Sequence, residues 1–283
     1  MNTSRLNFRV LAILGGAASA CVAFAQSGSS AINDPADPFG GIAAFTQQRT
    51  DKSAEGVPAG QLVDADMFWR ATTLKGAAPT GFDLRGFNLR YANELESTKT
   101  RYGATVPVYF GNDSSGTLSD YWMSGVDVNL EQPLGEVLAV GVHGGWLRTM
   151  HEARPSAFTL GSKQDNFMGG VYVAARYQAA DWVKLGGVVS YDRDFFTGGD
   201  AGVLGLGVSA TFKLAEKVDL IPRAMYFNNH DLNVSDPESF EVGAAVRYHF
   251  SEVWSLGAGY ETTLGSSYIK SSHMGFLATT FKF

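Results

Sequence analysis

The stretch that decides the fold is residues 166–177, NFMGGVYVAARY, where apolar and small residues recur at every second position. Phe167, Val171 and Tyr177 fall on one face of an extended strand, whereas Arg176 falls on the other. The same period returns in residues 240–250, FEVGAAVRYHF. Because successive side chains of a β-strand point to opposite faces, this period predicts strands with one apolar face.

About twelve segments with this alternation follow one another along the chain, and the connections between them alternate in length. The connection at 214–217 is tight, whereas the one at 150–165 is long. Short turns at one end and long loops at the other are typical of membrane-spanning barrels. We therefore predict an all-β fold, a closed antiparallel up-and-down transmembrane β-barrel of about 12 strands. The predicted strands are 62–74, 82–92, 98–110, 118–131, 137–149, 166–178, 182–195, 203–214, 217–227, 239–250, 253–263 and 273–283.

The aromatic residues test the length of these strands. Phe167 and Tyr177 lie ten residues apart on one face, as do Phe240 and Phe250. At a tilt near 45° each pair spans about 23 Å, close to the apolar band of about 25 Å between the aromatic girdles of a membrane barrel. A soluble β-sandwich also alternates, but it seldom places aromatic residues at both ends of so many strands. The pattern favours contact with membrane lipid.

The composition agrees with a β-barrel and excludes other classes. Of 283 residues, 33 are glycine and 18% are charged, whereas 12% are aromatic. The aromatic content argues against a disordered chain. Beyond the first 25 residues, no apolar run approaches the roughly 20 residues of a membrane-spanning helix. We therefore exclude a helical membrane protein.

The first 25 residues have the features of a secretory signal peptide. Arg5 and Arg9 precede an apolar stretch at 10–22, and residues 23–25, AFA, form a cleavage signature. Cys21 also suggests a lipidation site, but the preceding residues match such a site poorly. Cleavage after residue 25 would leave 20 basic against 28 acidic residues, a net charge of −8, and would remove the only cysteine. Disulfides, thiolate metal sites and a cysteine nucleophile are then excluded.

The C-terminal residues 275–283, GFLATTFKF, carry a resemblance to a known family. Leu277, Phe281 and Phe283 alternate with other residues, and this stretch resembles the terminal strand of Gram-negative outer-membrane β-barrel proteins. The resemblance implies a porin-like barrel in the outer membrane, reached by signal-peptide-directed export. It also implies that Leu277, Phe281 and Phe283 form the signal read by the barrel-assembly machinery. The sequence identifies no subfamily.

Three regions follow from these patterns. Residues 1–25 are the signal peptide, and residues 61–283 form the outer-membrane barrel. Residues 26–60 are rich in Ser, Gly, Ala and Pro and show no sustained period. We therefore predict that residues 26–60 form a flexible periplasmic arm.

Charged residues concentrate on the inner face that the alternation assigns. Asp127 and Glu131 share this face with many basic residues. A charge buried alone would cost several kcal/mol, so these groups must pair or meet water. Pairing across the lumen would close the barrel, whereas a hydrated path would make it a channel. The predicted lumen-lining residues are Lys99, Arg101, Arg176, Lys184, Asp192, Asp194, Arg223, Glu241, Arg247 and Glu261.

We find no pattern that indicates catalysis, a cofactor or a metal site. His249 and Ser251 have the spacing of a dyad on one strand face, but they lie at a predicted turn and lack an adjacent Asn. His143 lies among glycines and is expected to be a hydrogen-bonding residue of the lumen. We expect no enzyme activity, no cofactor and no nucleic-acid partner.

Three functions remain open. The first is a narrow passive channel for small hydrophilic solutes, because a lumen of about twelve strands is wider than that of eight-stranded barrels and narrower than that of porins. The second is a structural or adhesive surface barrel with a closed lumen, whose function lies in the loops at 150–165 and 228–238. The third is an outer-membrane lipid-modifying enzyme. An autotransporter translocator has a similar barrel size, but the arm is too short to be a passenger. The sequence leaves solute and oligomeric state open.

Overall fold

The structure is a computed structural model that describes residue 52 and residues 60–74, 81–113, 120–151, 162–194, 202–229, 238–266 and 269–283. These residues form a closed barrel in which each strand pairs antiparallel with its neighbours in sequence. The predicted all-β barrel is confirmed. The strands are β1 Leu62–Leu74, β2 Gly81–Leu95, β3 Thr100–Asp113, β4 Tyr121–Leu134, β5 Leu138–His151, β6 Ser162–Ala180, β7 Val183–Asp194, β8 Val203–Ala215, β9 Val218–Asn229, β10 Glu238–His249, β11 Trp254–Ser266 and β12 Ile269–Lys282.

Several strands are longer than the alternation predicts. β6 begins at Ser162 because its pairing with β5 continues to His151, beyond the apolar alternation. β12 begins at Ile269 instead of residue 273, so the predicted long connection at 264–272 shrinks to residues 267–268. Backbone pairing extends past the lipid-facing residues because it depends on the register and not on the apolar pattern.

The barrel closes between its first and last strands. β1 pairs with β12 from Leu62 opposite Lys282 to Leu74 opposite Ile269. The amide of Phe283 continues this seam and donates to the Gln61 carbonyl at 2.9 Å. Closure satisfies the backbone groups that an open sheet edge would leave unpaired in lipid.

The two ends of the barrel differ in their connections. One end, which we call the turn end, carries the short connections 96–99, 135–137, 181–182, 216–217 and 250–253. The other end, which we call the loop end, carries the remaining connections, of which residues 152–161 are the longest. The chain enters β1 at the turn end, and an even number of strands returns it there.

The outer wall of the barrel is apolar and exposed. Val171 and Val189 lie on this wall with about half of their surface accessible, and Phe167 and Tyr177 lie at its two margins. Polar residues of the same strands, such as Asn166 and Asp192, point inwards and are buried. This arrangement is the reverse of that in a soluble protein and fits a lipid surrounding. Within the described residues, no helix is long and apolar enough to cross a membrane.

Candidate functional site in the lumen

Glu131 on β4 is the centre of a charge cluster near the turn end, and its side chain is fully buried. Arg176 on β6 donates to it from Nη1 at 2.8 Å and from Nη2 at 2.7 Å. Arg101 Nη1 and the Tyr172 hydroxyl each donate to it at 3.2 Å. Arg101 also donates from Nε to Glu94 at 3.1 Å. These hydrogen bonds from two cations offset the cost of burying the carboxylate.

A second cluster surrounds Asp64 on β1. Arg90 Nη2 lies 2.9 Å from its Oδ2, and the Thr280 hydroxyl donates to its Oδ1 at 3.1 Å. Lys52, which belongs to the predicted arm, places Nζ 3.4 Å from the same Oδ2. Part of the predicted arm therefore contacts the inner wall near the turn end. Apart from Lys52 and Gly60, the predicted arm and the signal peptide lie outside the described residues.

Four buried charged side chains meet in the middle of the lumen. Arg70 Nη2 lies 3.3 Å from Glu241 Oε2 and 4.0 Å from Glu261 Oε2. Arg223 pairs with Glu261 and lies over the ring of Phe276, 4.5 Å from its centre. Because β1 and β10 are not neighbours in the barrel, the Arg70–Glu241 pair bridges separate parts of the wall. The inward charges are thus paired here, which is the arrangement that a closed lumen requires.

His143 on β5 lies between two carboxylates. Its Nδ1 is 2.8 Å from Asp127 Oδ1, and its Nε2 is 2.5 Å from Asp192 Oδ1. All three side chains are almost completely buried. A carboxylate only accepts, so both contacts are hydrogen bonds when the imidazole is doubly protonated or one carboxyl keeps its proton. The cluster thus links β4 and β5 to β7 across β6, the strand that lies between β5 and β7.

Gly170 on β6 provides the space that this cluster fills. It lies opposite His143 on one side and Asp192 on the other. A Cβ at Gly170 would lie 2.5 Å from His143 Nε2 and 2.6 Å from the Tyr191 backbone oxygen. Only a residue without a side chain fits between the two hydrogen-bonded groups.

Gly170→Ala is therefore expected to lower the free energy of unfolding by about 1–3 kcal/mol, because the backbone must shift to relieve the contacts. The matched control is Gly187→Ala on the outer wall of β7, where a Cβ would meet nothing nearer than 3.8 Å. Urea unfolding of both variants in lipid vesicles checks this. Equal loss of stability in both variants would contradict the assigned role of Gly170.

A layer of buried apolar and aromatic side chains, the apolar layer, lines the inner wall from β12 through β6, mostly towards the loop end. The rings of Phe68 and Tyr109 pack edge to face with centres 5.0 Å apart. These side chains point into the lumen and are nevertheless buried, because they pack against one another inside the barrel. The members of the layer are Phe68, Leu84, Tyr109, Met123, Leu147, Met168, Ile269 and Met274.

A small cavity lies between the apolar layer and the turn end. Its volume is about 50 Å³, which is room for a few water molecules. The charged residues around it are Lys52, Arg70, Arg223, Glu241, Arg247 and Glu261. It is a polar pocket within the charge clusters.

Most of the predicted lumen-lining residues belong to these clusters. The side chain of Arg247 is half-buried and borders the cavity. The others that the structure places in the inner-wall clusters are Arg101, Arg176, Asp192, Arg223, Glu241 and Glu261.

Lys99, Lys184 and Asp194 differ from this group. Lys99 lies in the β2–β3 turn with a side chain 66% exposed, and its Nζ is 3.3 Å from Glu94. The predicted strand began at residue 98, whereas the observed strand begins at Thr100, so Lys99 lies at the barrel rim. Lys184 is exposed near the start of β7, also at the turn end. Asp194 ends β7, and its side chain lies outside the described part of the chain.

The three residues of the predicted assembly signal lie at the seam of the barrel. Leu277 and Phe281 are exposed on the outer wall of β12. The Phe281 ring stacks on Trp254 with centres 5.8 Å apart. Phe283 follows β12 with its side chain 77% exposed. Recognition of these residues by the barrel-assembly machinery stays a prediction.

The described histidines form contacts other than catalytic dyads. His249 Nε2 lies 2.7 Å from Asp219 Oδ2, whereas the Ser251 hydroxyl accepts from the Trp254 amide at 3.1 Å. Across the described residues, no group of three or more His, Cys, Asp or Glu side chains is arranged to hold a metal ion. The expectation that the protein is not an enzyme stays a prediction.

Comparison with solved structures decides the fold family. The translocator domain of the autotransporter NalP from Neisseria meningitidis superposes with a TM-score of 0.61 at 13% identity, covering 88% of this chain and 98% of that one. The protein has the fold of the outer-membrane β-barrels. The COG4313 outer membrane channel from Pseudomonas putida F1 has a similar fold. It superposes with a TM-score of 0.60 at 12% identity, covering 80% of this chain and 97% of that one.

A third similar structure is the beta domain of the Bordetella autotransporter BrkA, with a TM-score of 0.56 at 13% identity, covering 79% of this chain and all of that one. No family model and no curated protein matches the sequence. The outer-membrane barrel fold is thus shared by a channel and by domains of autotransporters, and the fold alone does not distinguish between their functions.

Sequence reasoning missed the inward charges of the first two strands. Asp64 pairs with Lys52 and Arg90, and Arg70 pairs with Glu241 in the central cluster. None of the three strand residues, Asp64, Arg70 and Arg90, was among the predicted lumen-lining residues. The signal was present, because Asp64 and Arg70 share the parity of Phe68 in the first predicted strand.

Proposed function

We propose that the protein is a structural or adhesive surface barrel of the outer membrane with a closed lumen. The observation that carries this proposal is the apolar layer, whose side chains are buried although they face the lumen. An aqueous pore would instead leave inward side chains in contact with water. In this proposal the turn end faces the periplasm, and the loops at 150–165 and 228–238 carry the surface function.

The charge clusters support the same conclusion. Glu131, Asp64 and Glu261 each have a cationic partner within hydrogen-bond or ion-pair distance. Ion pairs that connect distant parts of the inner wall stiffen a barrel, and moving them to open a path would expose unpaired buried charges. The lumen therefore acts as a packed interior in this proposal.

A narrow passive channel for small hydrophilic solutes is the second candidate. The observation that favours it is the polar cavity lined in part by Lys52, a residue that precedes the first strand. If Lys52 moved away from Asp64, the cavity would open towards the turn end. The apolar layer would still have to rearrange before solutes could cross.

Planar-bilayer recordings distinguish the two candidates. For a closed barrel we expect no discrete conductance from the full chain or from a variant lacking residues 26–60. We expect conductance only after the apolar layer is trimmed by Phe68→Ala with Met123→Ala, because that change removes bulk from that layer. Phe87→Ala on the outer wall is the matched control and should stay silent.

Conductance by the full chain, or by the variant lacking residues 26–60, would reject the closed barrel and support the channel. In that case, neutralising Arg101, Arg176, Arg223 and Arg247 should shift selectivity towards cations, since fixed charges act strongly on ions in a narrow pore. Heat-modifiable migration on gels verifies that each variant is folded before it is recorded.

A further inference from the structure

The hydrogen-bond ladder between β8 and β9 is interrupted at Pro222. The register is continuous, but residues 210–211 of β8 and residues 221–222 of β9 form no pairs across this seam. By that register Pro222 lies opposite Ala210, and on its other side it pairs with Ala244 of β10. Proline has no N–H, so Pro222 cannot donate the hydrogen bond that a regular ladder requires here.

The group that loses its ladder donor is the Ala210 carbonyl. The Lys213 amide donates to the Trp182 carbonyl at 2.9 Å, on the β7 side of β8. The backbone groups of successive strand residues point to alternate sides, so those of Ala210 point towards β9 and Pro222. In lipid, a backbone carbonyl without a donor is unfavourable because no water is present to replace the lost bond. A donor from outside the ladder would therefore be stabilised at this oxygen.

Ala210 belongs to the outer wall, just inside the aromatic margin of the turn end. The next outward residue towards the turn end is Phe212, whose ring packs near Trp182 with centres 6.2 Å apart. The next outward residue towards the loop end is Val208, which is exposed on the apolar wall. The Ala210 carbonyl thus lies where the polar head of a lipid gives way to its hydrocarbon chain.

An apolar groove crosses the outer wall on the loop-end side of Ala210. Its volume is about 480 Å³, and Val208 is part of its lining. The lining residues come from β6 to β10 and are apolar, except for the hydroxyl of Tyr226, which donates to Glu238 at 2.6 Å. Gly187 contributes no side chain, and a Cβ there would meet nothing nearer than 3.8 Å. The groove has room for a hydrocarbon chain.

We infer that the groove and the Ala210 carbonyl together bind a single-chain lipid that carries a free hydroxyl beside its chain. The chain lies in the groove, and the hydroxyl donates to the carbonyl that Pro222 leaves without its ladder donor. A lipid with its head at the turn-end margin and its chain towards the bilayer centre has this orientation. A two-chain phospholipid carries an ester in place of that hydroxyl and lacks the donor.

The hydroxyl separates this site from general contact with the bilayer. Any hydrocarbon chain can cover an apolar wall, but only a donor satisfies the backbone oxygen. The inference goes beyond the proposed function, and it is independent of whether the lumen conducts.

The probes are an ether-linked lysophosphatidylcholine, which has a free hydroxyl beside its chain, and the same lipid with that hydroxyl methylated. The full chain is placed in phosphatidylcholine nanodiscs with a trace of either probe, and the retention of the probe is measured by native mass spectrometry. We expect about fivefold greater retention of the hydroxyl form, the effect of one neutral hydrogen bond.

Three variants locate the preference at this seam. Pro222→Ala supplies an amide N–H to the Ala210 carbonyl and should abolish the preference. Pro107→Ala is the matched control, because residues 106–107 interrupt the β3–β4 ladder in the same way, and it should keep the preference. Gly187→Leu should lower the retention of both probes, because its side chain fills the groove.

Equal retention of the two probes by the natural chain would overturn the inference, because water from the lumen would then satisfy the carbonyl. An unchanged preference in Pro222→Ala, or loss of the preference in Pro107→Ala, would also overturn it. Heat-modifiable migration on gels verifies that each variant is folded. If Pro222→Ala does not fold, Gly187→Leu is the deciding variant, and undiminished retention of the hydroxyl form in that variant would reject the site.

Discussion

His143→Ala is expected to lower the free energy of unfolding by about 3–5 kcal/mol, the usual cost of removing one partner from a buried ion pair. Asp127 and Asp192 would then face an empty site with side chains that are about 2% exposed. Neither carboxylate could keep its hydrogen bond to the imidazole. Urea unfolding in lipid vesicles, followed by tryptophan fluorescence, measures the loss.

Two further variants show whether the carboxylates cause this loss. His143→Ala with Asp192→Asn removes one of the two buried carboxylates and should recover part of the stability. His273→Ala is the control, because His273 lies on the outer wall and contacts the Tyr260 hydroxyl at 2.5 Å. Loss of that exposed contact should cost about 1 kcal/mol or less. If the double variant were no more stable than His143→Ala, the missing volume and not the charge would explain the effect.

The outer wall could be predicted from the sequence because the membrane acts on each residue separately. Every lipid-facing position must be apolar or small, so Val171 and Val173 reveal their orientation without knowledge of any partner. This rule for single positions was enough to predict the number of strands. It did not predict where β6 and β12 begin, because backbone pairing continues beyond the residues that contact lipid.

The contacts inside the lumen could not be predicted in the same way. His143 and Asp192 are 49 residues apart in sequence, and they meet because the register places both beside Gly170. Parity shows that such side chains point inwards, but the register between strands decides which ones touch. The sequence therefore predicted that Arg176 and Glu241 face the lumen, but it did not predict which side chains they contact.

Lys52 shows a second reason for the missed features. Its segment has no period of two, so the sequence suggested only a flexible arm. The contact with Asp64 depends on charge complementarity with the first strand, and the sequence does not show that Lys52 lies close to that carboxylate. A segment without alternation can still contribute a side chain to the lumen.

Glu131→Ala is expected to lower the free energy of unfolding by about 3–5 kcal/mol. The substitution removes the carboxylate to which Arg176 donates from two nitrogen atoms. Arg101 keeps its hydrogen bond to Glu94 after this change. Glu136→Ala in the exposed β4–β5 turn is the control and should change stability by about 0.5 kcal/mol or less.

A double-mutant cycle isolates the pair. Glu131→Met and Arg176→Met are the two single variants, and Glu131→Met should destabilise about as much as Glu131→Ala. The double variant should recover much of the loss, because apolar residues of similar volume can replace a buried ion pair. A coupling energy near zero in urea unfolding would mean that Arg176 is already solvated. The turn-end cluster would then be a hydrated rim, and the closed lumen would depend on the apolar layer alone.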